Sequence, residues 1–118
     1  MTQFTTSNGD YLACTVPVDI LRSSIWIDKY GKMWYKTKSC TSTWSMLTIP
    51  AGTYTIIGIA GELSEDQKES IVEYTDRYGR YICYDSDNHF CLEATHSFAS
   101  LLRLHNISPD CLILKREK

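Results

Sequence analysis

The chain lacks any long apolar run. No stretch approaches the ~18 consecutive apolar residues that a membrane-crossing helix needs, so no membrane role is expected. Met1 to Asp10 are polar and small, with neither a basic n-region nor an apolar core. They are not read as a secretory signal, and residues 1–10 are expected to be flexible. A basic excess is absent too. The formal net charge is −2 and the sequence pI is about 5.9. Proteins that live by neutralising phosphates usually carry a basic surplus or a basic face. No Cys-x-x-Cys occurs among the five cysteines at 14, 40, 83, 91 and 111. The number is odd, and several cysteines sit inside apolar runs such as Cys111-Leu-Ile-Leu114. That usage excludes a disulfide framework and fits a reducing, cytoplasmic setting. A Gly-rich phosphate loop, an ordered Ser-His-Asp set and His-Glu-x-x-His are all missing. No cofactor and no metal are expected.

What is present is ordinary globular material. At 118 residues, 1–118 reads as a single domain. A chain of that size buries roughly two-thirds of its unfolded surface without needing metals or disulfides. Eight Tyr and three Trp weigh against an all-helical fold, because aromatic side chains favour pleated surfaces.

Tyr11–Val16 reads as a first strand ended by Pro17. Asp19–Ser24 is ambiguous and fits a short helical turn. Ile25–Ile27 and Met33–Lys36 are strand-like, and Asp28–Lys32 with Gly31 between them predicts a hairpin. Ser- and Thr-rich Thr37–Ser45 reads as a surface loop. Met46–Ile49 is the next strand, followed by a Pro50–Thr53 turn. The nearly continuous apolar run of Tyr54–Ala60 predicts a strand buried on both faces or central in its sheet. Ser64 and Gln67 have capping-box spacing, with Glu65 and Asp66 in the first helical turn. Arg80–Tyr84 and His89–Leu92 read as strands around an Asp85–Asn88 turn. Thr95 or Ser97 can cap a second helix, whose Phe98, Leu101, Leu102 and His105 form one stripe. Asn106 can end it in the left-handed conformation. Cys111–Lys115 closes the chain as a short buried strand. The fold class is therefore α+β: a mainly antiparallel sheet with two short helices.

The segment Ile49-Pro-Ala-Gly-Thr-Tyr-Thr-Ile-Ile-Gly-Ile-Ala-Gly-Glu-Leu-Ser-Glu-Asp-Gln67, with Ile71-Val72, resembles a pattern in uncharacterised small phage and prophage proteins. Those carry a Pro-x-Gly turn, an Ile-Gly-x-Ala strand end and a Glu-Leu-Ser-Glu-Asp-Gln-type helix start. Ala94-Thr95, the Ser97–Leu102 helix with its Leu-Leu pair and the closing Leu112-Ile-Leu-Lys115 are similar as well. The likeness covers roughly the last two-thirds of the chain. It implies a phage-associated protein in the host cytoplasm and supplies no catalytic residues.

Three constellations invite chemistry. Cys83, His89, Cys91 and His96 lie close in sequence, but their spacing lacks the tight knuckle of a structural zinc site, and a thiol–imidazole pair cannot be assigned from proximity. Glu62 stands in a turn that helix capping does not explain. With Glu93 and His96 it offers an alternative reading as a small hydrolase or nucleotide-handling enzyme. Trp26, Trp34, Tyr35 and Trp44 surround the expected hairpin together with Lys32 and Lys36. Exposed Trp and Tyr are favoured at interface centres, so these six are the candidate binding residues. A protein partner is the favoured occupant, and single-stranded nucleic acid stacked on the rings is the alternative. The expected function is that of a non-enzymatic accessory protein that binds a host or phage macromolecule. Cys111–Leu114 at a sheet edge would invite a dimer.

Overall fold

The computed structural model describes residues 1–6, 8–71, 82–84, 90–92 and 98–117. Its strands are β1 (Thr2–Thr6), β2 (Gly9–Cys14), β3 (Ile20–Ile27), β4 (Lys32–Thr37), β5 (Cys40–Thr48), β6 (Thr53–Ile59), β7 (Ile82–Tyr84), β8 (Phe90–Leu92) and β9 (Leu112–Glu117). Two short helices, α1 (Glu65–Ile71) and α2 (Phe98–Leu104), complete an α+β domain. The strands form a six-stranded sheet in the order β6-β9-β2-β1-β7-β8 and a three-stranded sheet in the order β3-β4-β5, with antiparallel pairing throughout.

Period-two alternation explains how the layers stack. In β2, Tyr11 and Ala13 point to one face of the large sheet, and Leu12 and Cys14 to the other. In β9, Ile113 joins the first set and Leu112 and Leu114 join the second. The first face is covered by Leu63, Ile71 of α1 and Phe98, Leu101 and Leu102 of α2. The second is covered by the small sheet through Met33, with Ile25, Ile27, Tyr35 and Leu47 packed against the same cluster. The large sheet is thus the middle of three layers, with an apolar core on each side.

The helix ends follow local chemistry. The Ser64 amide donates to Gln67 Oε1 (2.8 Å) and the Gln67 amide donates to Ser64 Oγ (3.2 Å), a reciprocal capping box. Asn106 takes φ 54° after α2, as its short polar side chain permits.

Five expectations are corrected. Where residues 1–10 are expected to be flexible, Thr2–Thr6 form β1 and Gly9 and Asp10 open β2. Phe4 is buried, and the Thr6 hydroxyl donates to the Ile71 carbonyl (2.6 Å). Three threonines in the first six residues disguise a strand with one apolar anchor. Ile20–Ser24 of the expected helical turn belongs to β3, and most of Thr37–Ser45 belongs to β5. The latter is an exposed strand whose Ser and Thr residues imitate loop composition. Tyr54–Ile59 is an edge strand. Its apolar run arises from a bulge between Ile56 and Gly58, where the extra residue Ile57 packs on one core and Ile59 beyond it on the other. Cys111–Leu114 does not lie at an edge, since β9 is paired on both sides, by β6 and β2. The turns and caps expected between 72 and 97, outside β7 and β8, fall outside the described residues.

Candidate functional site

The candidate site is the outer face of the small sheet, and the β3–β4 turn organises it. Asp28 accepts from the Tyr30 amide (2.8 Å) and the Lys32 amide (3.1 Å) through Oδ1. Its Oδ2 accepts from Trp34 Nε1 (3.1 Å). Desolvation pushes the Asp28 carboxyl up, but donation from Trp34, Tyr30 and Lys32 and the Lys32 charge outweigh it, so it titrates below its ordinary value. Gly31 closes the turn at φ 77°. Its carbonyl accepts from the Ile49 amide (2.9 Å), and a Cβ at this position would stand 2.6 Å from the Ile49 carbonyl oxygen. Only glycine fits, and the turn is thereby fixed to the end of β5.

From that turn β4 runs Lys32-Met33-Trp34-Tyr35-Lys36. Met33 is fully buried and Tyr35 faces the same inner core. Alternation therefore turns Lys32, Trp34 and Lys36 outward. Trp26 is the direct cross-strand partner of Trp34, with ring centroids 6.5 Å apart and planes 26° from parallel. Met46 opposes Trp34 from β5, and Trp44 lies one pleat further along the same strand. The Lys36 ammonium sits 4.7 Å from the Trp44 ring centroid, a cation–π contact. Trp26, Trp34 and Trp44 line an open cleft of about 210 Å³. Trp26 is 59% exposed, Trp44 48% and Met46 47%.

Five of the six candidate residues thus share one face: Trp26, Lys32, Trp34, Lys36 and Trp44. Tyr35 is separated from them on the inner face. Met46 belongs to the outer face and was missed, because the strand that presents it was read as beginning only at that residue.

Charge is distributed unevenly as well. Between Ile20 and Thr48 lie Arg22, Lys29, Lys32, Lys36 and Lys38 and one acid, Asp28, a formal +4. The remainder of the chain therefore carries −6 of the total −2. The overall acidity conceals a basic small sheet.

Among the described residues, the other constellations do not converge on a reactive centre. Glu62 pairs with Arg22 (2.7 Å), both side chains about half exposed, which accounts for the carboxylate that capping left unexplained. The hollow beside this pair, about 320 Å³ in volume, has Asp110 as its remaining ionisable side chain. Glu93 and His96 lie outside the described residues. Cys83 and Cys91 are register partners across β7 and β8, while His89 and His96 lie outside the described residues. Among the described residues, no group of three or more His, Cys, Asp and Glu could hold a metal ion. No described helix is long and apolar enough to cross a membrane.

Comparison with protein-family profiles, with curated proteins and with solved structures finds no match to this chain.

Proposed function

We propose that this protein is a binding module that acts through the outer face of the β3-β4-β5 sheet and has no catalytic role of its own. One observation carries this reading. All three tryptophans of the chain stand together on the solvent side of a sheet whose opposite side already supplies its share of the core. Folding requires nothing apolar on that outer side. Each tryptophan can bury about 150–250 Å² on docking, and Trp is enriched at energetically dominant interface positions.

The resemblance to small phage and prophage proteins supports a place among phage accessory proteins acting in the host cytoplasm. The partner is then a host or phage macromolecule, and inhibition of a host defence or regulatory protein is the most concrete role. The alternative enzymatic reading draws no support from Glu62, which is engaged by Arg22.

Immobilised wild-type protein and its Trp44→Ala variant, exposed to the same bacterial lysate, test the proposal. We expect material retained by the wild type and lost from the variant. Identical retention by both would count decisively against binding through this face.

A further inference from the structure

We infer that the occupant of the tryptophan face is single-stranded nucleic acid, with bases stacked in the cleft of Trp26, Trp34 and Trp44 and phosphates held by Lys32 and Lys36. The inference rests on the reading of this face as a binding surface and adds the chemical class of its ligand.

Charge complementarity is the first argument. The small sheet is formally +4 within a chain of −2, so the basic surplus expected of a phosphate-binding surface is present locally. The one carboxylate of the segment, Asp28, has both oxygens engaged by donors of its own turn and of Trp34. Geometry is the second. Lys32, Trp34 and Lys36 alternate along one strand, which sets the two lysines about 13 Å apart with a ring midway. A flexible chain of alternating planar bases and anionic linkers can follow that order. The cleft, about 210 Å³, is smaller than the roughly 300–1,000 Å³ that encloses a small molecule, so it suits part of a longer ligand.

Two competing ligands fit less well. A cationic ligand, such as a methylated amine, would meet an aromatic surface whose Trp44 ring already carries the Lys36 ammonium. Duplex nucleic acid keeps its bases stacked on one another, leaving the rings nothing to receive. The face also lacks sequence-reading groups. No Asn, Gln or Glu occurs between Ile20 and Thr48, and the only arginine there, Arg22, is paired with Glu62. Binding should therefore tolerate many base sequences, as stacking does. A protein partner would have a different route, by adding a strand along the edge of β5.

The test is fluorescence anisotropy of a dye-labelled oligothymidylate of about 12 nucleotides, titrated with the full chain at several salt concentrations. The wild type should bind, and affinity should fall with a log–log salt slope near −1.4, or roughly −0.7 for each phosphate met by Lys32 and Lys36. Trp44→Ala and Trp26→Ala, both at exposed positions, should each weaken binding about ten-fold or more. Lys36→Gln should flatten the slope by about 0.7. An unlabelled duplex should compete poorly. Absence of oligonucleotide binding, together with Trp44-dependent retention of lysate material that survives nuclease, overturns this inference and leaves the binding-module reading standing with a protein partner. Oligonucleotide binding indifferent to both tryptophan substitutions overturns it as well. Loss of every Trp44-dependent interaction brings down both readings.

Discussion

The two sheets are made of similar residues and used differently. In the large sheet, Tyr11–Cys14 of β2 and Leu112–Leu114 of β9 are buried on both faces, and each run alternates between two cores without a solvent side. The small sheet has a core on one side only, yet its other side carries Trp26, Trp34, Trp44 and Met46 in place of the polar residues that such a side normally shows. Strand β4 makes the contrast within six residues: Met33 is fully buried, and Trp34 next to it opens onto a cleft. Apolar residues in the large sheet are explained by folding. Those on the outer face of the small sheet are not, and that is the physical reason to look for function there.

Substitutions on the two sides should separate cleanly. The largest effect is expected at Ile113, which is fully buried in an interior strand. Ile113→Ala should remove about 3–5 kcal/mol, measured as a lower urea midpoint, because transfer and cavity costs add. A loss below about 1 kcal/mol would show that the two-sided core is loosely packed. The next effect belongs to pH. Burial pushes the Cys14 thiol from its ordinary 9.0 up to about 11. The unfolded thiol ionises first, so stability is full below pH 9.0 and falls as pH rises towards about 11. The loss from this group approaches roughly 2–3 kcal/mol, and urea melts of Cys14→Ala across the same window should decline less steeply. Gly31→Ala should cost at least about 2 kcal/mol, since it imposes a left-handed conformation on a residue that also meets a backbone oxygen. Thermal melting would register it, and a neutral result would mean that the turn is not held as described.

On the exposed side the changes shrink. Trp26→Ala and Trp44→Ala should each shift stability by less than about 1 kcal/mol while weakening ligand binding about ten-fold or more. A large destabilisation there would erase the contrast and make these rings structural. Smallest of all, Glu62→Gln should cost at most about 0.5 kcal/mol, as expected of an exposed ion pair, and the difference should vanish in high salt.

Much of this was legible in the sequence, and the failures have common causes. The hairpin around Gly31, the Ser64–Gln67 cap, the stripe of α2 and the left-handed Asn106 are local signals, and all are present. Where a residue's role depends on what covers it, local pattern was insufficient. β1 and the Cys40–Ser45 part of β5 escape the sequence reading because Thr and Ser serve equally in exposed strands and in loops. β6 reads as buried on both faces or central because a bulge converts an alternating edge strand into a continuous apolar run. The aromatic segment was identified as the candidate site, and alternation correctly set Trp34 opposite Met33 and Tyr35. The joining of Trp26 and Trp44 to Trp34 required cross-strand register, which sequence alone does not supply. The acidic total charge hides the basic Ile20–Thr48 segment by averaging over two unlike parts of the chain.

Because all three tryptophans lie on the small sheet, indole emission from this protein is a local instrument. An unfolding curve followed by fluorescence reports only the β3-β4-β5 layer, whereas far-ultraviolet circular dichroism reports both sheets and the helices together. Superimposable curves would mean that both cores collapse in a single cooperative step. An earlier fluorescence transition would instead reveal the small sheet as a layer that detaches while the rest of the domain holds.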